Sequence, residues 1–240
     1  MSRRYEMSLT ADLVALVHRN VIDPGPPPGF TPLTDRDHDQ RRDALLASHP
    51  KGRDLWLFAY GSLIWKPSCE LDGQCHALLR GWHRKFCLRL VRYRGTADCP
   101  GLMMALDNGG SCRGVLQRIP AGRAADGLDK LLRREMSVRP ASNVPRWVEV
   151  ESAHGRQRAI AFAIDRKGPT YAGPRTLEET ADILAKACGH WGSGAEYLMQ
   201  TVAHLEDLGI HDRYLWRLQD MVARRIKAAA GTTRLPAAAD

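Results

Sequence analysis

The chain has 240 residues, a formal net charge of +8 and a hydrophobic content of 44%, enough for a sizeable core and ordinary for a globular fold. No apolar run approaches the ~20 residues of a membrane span, and "MSRRYEMSLTADL" has no continuous apolar stretch of the signal-peptide kind, so a cytoplasmic protein without membrane contact is expected. Six cysteines at 69, 75, 87, 99, 112 and 188 form no C-x-x-C pair and the nine histidines have no ligand spacing, which excludes the familiar zinc patterns; neither metal nor cofactor is expected.

Taken in chain order, residues 9–19 suit a short helix with Leu13, Leu16 and Val17 on one side. Ile22 to about Asp54 contains "DPGPPPGFTPLTDRDHDQRRD" and reads as a linker or wrapped arm, since such composition cannot build a core. Leu55–Tyr60 is a short continuous apolar run, suited to a strand covered on both faces. Further strands are expected over Cys75–Leu79, Lys85–Val91, Leu102–Leu106, Arg113–Ile119, Trp147–Glu151 and Ala159–Ile164, with "DNGG" at 107–110 as a turn between two of them. Helices follow: "GLDKLLRREM"; one opened by Thr176-x-x-Glu179 and closed by Gly189; one opened by Ser193-x-x-Glu196 and ended by Gly209; and one marked by Leu215, Leu218 and Val222. Strands first and helices last favour α+β. The expected division is an N-terminal helix and proline-rich arm (1–54), a catalytic domain (55–230) and a flexible tail (231–240), with residues 1–50 dispensable for chemistry.

Basic residues concentrate in "LLRGWHRKFCLRLVRYRG", where Phe86, Leu88 and Leu90 alternate with Lys85, Cys87 and Arg89. That alternation is a half-buried strand with a polar face, solvated or facing small anions. Nucleic acid is the weaker reading, because no arginine-rich helix or stacking motif accompanies it.

Two places suggest chemistry. "LFAYGSLIWKP" begins as a strand and breaks at Gly61-Ser62. A sharp turn there, with glycine free to take unusual backbone angles, points the N–H groups of Gly61, Ser62 and Leu63 at a carboxylate or oxyanion. The same residues also suit an ordinary strand-end turn, and Ser62 stands in no G-x-S-x-G elbow. In "GLDKLLRREM", Leu128, Leu131, Leu132 and Glu135 fall at i, i+3, i+4 and i+7, so Glu135 lies within the leucine stripe. A carboxylate there is a candidate base with raised pKa, a member of a buried ion pair, or part of a frayed helix end. Glu149 and Glu151 alternate with Val148 and Val150 and should face solvent; Glu178 and Glu179 suit a helix start. Cys75 and His76 are neighbours in a strand and point to opposite faces.

"FAYGSLIWKP", "GWHRKFCLRLVRYRGTADCPG", "CRGVLQRIP", "LLRREM" and "YAGP" at 171–174 together resemble the ChaC-type γ-glutamylcyclotransferases, in order and at family-like spacing from about Trp56 to Gly209. The resemblance implies a compact mixed β-barrel of about six strands flanked by helices. It implies an enzyme that cyclises the γ-glutamyl group of glutathione, releasing 5-oxo-L-proline and Cys-Gly. It implies that Leu57, Phe58, Ala59, Tyr60, Gly61, Ser62 and Leu63 hold the γ-glutamyl head, that Glu135 is the catalytic proton acceptor, and that Tyr171 contacts substrate. Intramolecular attack by the substrate's own α-amine requires no protein nucleophile, metal or cofactor. The alternatives are a cyclotransferase acting on another γ-glutamyl amine or amino acid, and a non-catalytic basic binding module on the same scaffold.

Overall fold

A computed structural model describes residues 6–233. In chain order its elements are α1 (Ala11–Val17), β1 (Thr31–Pro32), α2 (Asp35–Ala47), β2 (Leu55–Ala59), β3 (Gln74–Leu90), β4 (Gly101–Ile119), α3 (Ala124–Glu135), β5 (Val138–Arg139), β6 (Asn143–Ser152), β7 (Gly155–Ile164), α4 (Leu177–Leu184), β8 (Cys188–Gly189), β9 (Gly192–Ser193), α5 (Gly194–Asp207) and α6 (Arg213–Thr233). Gly231 does not stop α6, so the expected tail is helical through Thr233; residues 234–240 of that tail lie outside the described residues. Among the described residues, no helix is long and apolar enough to cross a membrane.

Pro26–Leu88 and Met104–Gly173 make one compact unit. Its centre is a closed barrel of five strands in the order β2-β4-β3-β6-β7, mixed because β2 runs antiparallel to β4 and parallel to β7. The apolar run of β2 is explained by its place: Leu55, Leu57, Phe58 and Ala59 are all buried between its two neighbours. Phe58, Phe86, Leu106, Leu116 and Phe162 fill the core, each worth roughly 1.5–3 kcal/mol of apolar burial.

The strand pieces expected separately at 75–79 and 85–91 are one 17-residue strand, and those at 102–106 and 113–119 are one 19-residue strand. "DNGG" is therefore not a turn between strands. Gly109 and Gly110 take φ of +102° and +66°, which bends β4 without ending it. His83 of β3 secures the bend, its Nδ1 lying 2.9 Å from the Gly109 carbonyl.

α3 follows the barrel and packs against the end of β4, with Leu128, Leu131 and Leu132 buried. The stretch expected to be a linker contains α2, a 13-residue helix. Thr34 and Asp37 form a capping box at its start. Asp35 and Asp37 pair with Arg133 and Arg139, both at 2.6 Å, and Thr31–Pro32 pairs with β5. Only His38 of α2 is fully buried, so this helix is held by caps and charges rather than by an apolar stripe.

Among the described residues, the second unit comprises those up to Gly25, Arg89–Met103 and those from Pro174 to Thr233. α1, α4, α5 and α6 pack together, with the β8–β9 hairpin between α4 and α5 in sequence. α1 turns Val14 and Val17 inward; Leu16, expected on that face, is 62% exposed. Leu9 is buried, and its N–H donates to Gln219 Oε1 at 2.8 Å. Thr176 caps α4 as expected, but the helix stops at Leu184 and Gly189 lies in β8 instead. Ser193 caps α5, Gly209 follows its end at φ +69°, and Leu215, Leu218 and Val222 are the buried face of α6.

Candidate active site

β2 delivers the chain to the site. Beyond Ala59, the buried Tyr60 hydroxyl donates to the Phe162 carbonyl of β7 at 2.9 Å, fixing the strand end on its parallel neighbour. On the antiparallel side Gly114 is required by contact: a Cβ there would lie 2.5 Å from the Ala59 carbonyl oxygen and 2.9 Å from the Phe58 ring. Gly61 takes φ −145° and ψ −133°, and the sharp turn expected there follows at once as a short 3₁₀ turn, Ser62–Ile64. Ile64 N–H donates to the Gly61 carbonyl (2.9 Å) and Lys66 N–H to that of Ser62 (2.8 Å), while Gln117 Nε2 donates to the Leu63 carbonyl (3.2 Å). The N–H groups of Ser62 and Leu63 precede the first intrahelical bond, where such donors have no intrahelical acceptor.

Glu135 is the last residue of α3. Its helix position continues the stripe of Leu128, Leu131 and Leu132, and its side chain retains only 17% of its exposure. Burial pushes its carboxyl above the ordinary carboxylate range, and Arg134 pulls the other way with Nε at 3.5 Å from Oε1. Arg134 also reaches the strand-end loop, donating from Nη2 to Ser62 Oγ at 3.1 Å and from Nη1 to the Lys66 carbonyl. The candidate base and the candidate oxyanion loop therefore share one guanidinium.

Tyr171 forms an isolated bridge with Leu88 of β3, and its hydroxyl donates to Asp107 Oδ2 at 3.3 Å. Asp107 is buried in β4. Burial opposes its ionisation, but Arg166 Nε at 2.5 Å, the Asn108 N–H at 2.9 Å and the Tyr171 hydroxyl together hold its carboxyl below the ordinary range. No hydrogen bond or ion pair joins Tyr171 to Glu135 or to the 57–63 loop among the described residues. The residues missed at the sequence level are Arg134, Asp107 and Arg166. Arg134 was legible as the basic neighbour of the one acid in the stripe; Asp107 was hidden inside an apparent turn.

Four of the six lysines and arginines of the basic segment are occupied internally. Arg80 makes a two-pronged bond to Glu151, Arg84 is buried and donates to the Arg113 carbonyl, Arg92 grips Asp23 with two 2.6 Å bonds, and Arg94 holds Glu196 at 2.7 Å. Arginines engaged in this way are poorly placed to track a phosphate backbone. Glu149 is exposed, as expected from the alternation, whereas Glu151 is half-buried under Arg80. An open cleft of about 660 Å³ on β3, β6 and the start of β7, lined by Arg80, Trp82, Arg146, Trp147 and Arg156 among others, includes none of the candidate site residues.

The closed mixed barrel flanked by helices is the fold of the γ-glutamylcyclotransferases. The crystal structure of a γ-glutamylcyclotransferase specific to glutathione from yeast shares this fold, with a TM-score of 0.62 at 22% identity over 71% of this chain and 96% of that one. The family model described as ChaC-like protein matches residues 55–225, and the chain belongs to that family. It is 39% identical over 170 residues to the glutathione-specific γ-glutamylcyclotransferase of Escherichia coli, covering 70% of this chain and 73% of that protein. It is 27% identical over 198 residues to the protein of the same name in Schizosaccharomyces pombe, covering 74% and 96%.

Proposed function

We propose that this chain is a glutathione-specific γ-glutamylcyclotransferase, converting glutathione to 5-oxo-L-proline and Cys-Gly. The observation that carries the mechanism is the Glu135 carboxylate, set in an apolar stripe where burial raises its proton affinity. Glu135 takes a proton from the substrate α-ammonium. The freed amine attacks the γ-carbonyl carbon, a C–N bond closes the five-membered ring, and an oxyanion forms that the Ser62 and Leu63 N–H groups receive. The intermediate then collapses, the bond to the cysteinyl nitrogen breaks, and Glu135 passes its proton to that leaving amine; the carboxylate then takes the second proton left on the ring nitrogen and hands it to the same amine, which departs as an ammonium.

Holding the glutamyl chain folded is the larger part of the task, since well-oriented intramolecular reactions reach effective molarities on the order of 10⁵–10⁸ M. Leu57, Phe58, Ala59, Tyr60 and Gly61, fixed by β4 and β7, shape the recess for the γ-glutamyl head; Tyr171 is assigned to the substrate on the family resemblance. The reading includes a cytoplasmic location, in keeping with six cysteines of which none is in a disulfide. It includes a catalytic body over residues 55–230, a span that the family match nearly fills.

Purified protein incubated separately with glutathione, γ-Glu-Ala and γ-Glu-ε-Lys provides the test. Glutathione should yield 5-oxoproline with Cys-Gly, and γ-Glu-Ala far less. Glu135→Gln should lower turnover by at least ~10²-fold while glutathione binding, measured by calorimetry, persists. Free glutamate as product would mean that water attacks, and the cyclisation would be wrong. Near wild-type turnover in Glu135→Gln would remove Glu135 from the mechanism.

A further inference from the structure

We infer that Arg134 is the positioning residue of this site, a single guanidinium that fixes the strand-end loop and the catalytic carboxylate relative to each other. The inference rests on the cyclotransferase reading for its consequences in rate, but its geometry stands alone. Glu135 ends α3, where intrahelical hydrogen bonds run out and side-chain direction is weakly determined. The 62–66 turn likewise begins with open donors. Neither element holds the other through backbone pairing. Arg134 supplies the link with all three guanidinium nitrogens: Nη1 on the Lys66 carbonyl, Nη2 on Ser62 Oγ, and Nε beside Glu135 Oε1 at 3.5 Å. Its side chain is 26% exposed, so the bridge sits where water competes only in part.

The arrangement suits the chemistry. A base separated from its oxyanion donors by a loose hinge would lose near-attack geometry, and a misplacement of 1 Å can cost ~10²-fold in rate. The carboxylate also has to alternate between accepting and returning a proton. Arg134 is the one charge acting on it among the described residues, and it offsets the effect of burial. The other nearby cation on α3, Arg133, is engaged with Asp129 and with Asp35 of α2, and Lys66 of the loop faces Arg134 through its carbonyl. A planar fork lets two nitrogens donate to Ser62 Oγ and the Lys66 carbonyl while the third stays beside the Glu135 carboxylate; lysine carries the charge on one nitrogen and cannot cover these positions together.

Arg134→Met, Arg134→Lys and Ser62→Ala are compared with the wild-type chain, each checked for folding by circular dichroism. For Arg134→Met, kcat should fall on the order of 10²-fold, and the acid limb of kcat/KM should move to higher pH as Glu135 loses its cation. Arg134→Lys should return the limb towards its wild-type position while recovering little of the rate. Ser62→Ala cuts one anchor and leaves the charge beside Glu135, so its limb should stay in place. Two measurements require no turnover: titration of the Glu135 carboxylate by NMR, and amide exchange across Ser62–Lys66. Arg134→Met should raise the first and accelerate the second. An inactive wild-type protein would overturn the cyclotransferase reading, while these two measurements would still decide the role of Arg134. A folded Arg134→Met whose carboxylate titration and loop exchange match wild type overturns the inference, as does a fall in rate with an unmoved limb.

Discussion

Replacing Asp107 by asparagine tests the ionic anchor beneath Tyr171 while almost preserving shape. The carboxylate is 3% exposed and takes Arg166 Nε at 2.5 Å. At an effective dielectric of 20, two charges at that distance attract by roughly 7 kcal/mol. Most of this is already offset by the desolvation of Asp107, and Arg166, at 45% exposure, regains water when the carboxylate is gone. What remains is close to the worth of a charged hydrogen bond, and the loss of the Tyr171 donation adds to it; the net cost should be about 2 kcal/mol. For a chain of this size that corresponds to a fall in Tm of about 4–8 °C. The pH dependence has a definite sign. The folded carboxyl titrates below its ordinary 3.8, so its contribution is full above that value and is lost as pH falls through the folded value. Urea unfolding of both proteins should therefore show the gap at pH 7 and pH 5 and a smaller gap at pH 3. Equal midpoints at pH 7, or a gap that ignores pH, would refute the reasoning. With Tyr171 released, KM for glutathione should also rise.

Other outcomes follow from the same structure. Glu135→Gln removes a carboxylate whose pKa is raised by burial, so the variant should be as stable as wild type or gain about 1 kcal/mol at most at pH 7. That gain should shrink as pH falls towards the ordinary 4.5, where the wild-type carboxyl is protonated. Gly114→Ala drives a methyl into the Ala59 carbonyl and the Phe58 ring, both fully buried, and should cost about 3 kcal/mol in urea unfolding and displace the strand-end loop, lowering kcat. A chain beginning at Lys51 should lose helical signal and precipitate on heating well below the full chain. It lacks Leu9, Val14 and Val17, buried against the C-terminal helices and worth roughly 1.5–3 kcal/mol each.

The barrel strands were legible because burial writes itself into hydropathy: Leu55–Ala59 is apolar on both faces and is covered on both. Glu135 was legible for the same reason, as one acid in a stripe of leucines. α2 was not, because its stabilisation lies in Asp35, Asp37 and Thr34 meeting Arg133, Arg139 and the helix's own N–H groups, which leaves no apolar period to read. The continuity of β4 was hidden by Gly109 and Gly110, residues that serve a bend as readily as a turn. Arg134 illustrates a third case. Its position beside Glu135 was visible, but its contact with Ser62, 72 residues earlier, is a product of the fold.

The way α2 is fastened has a consequence for motion. Its ion pairs with Arg133 and Arg139 are partly open to solvent, and pairs of that kind weaken as salt shortens the Debye length from about 10 Å at 0.1 M to about 3 Å at 1 M. α2 behaves as an electrostatic clasp on the back of the helix that ends in Glu135. It can open as a unit of its own, ahead of the barrel, because little apolar surface holds it shut. Ionic strength thus tunes the stiffness of the scaffold behind the base, and amides of residues 35–47 should exchange in a salt-dependent way that the five barrel strands do not share.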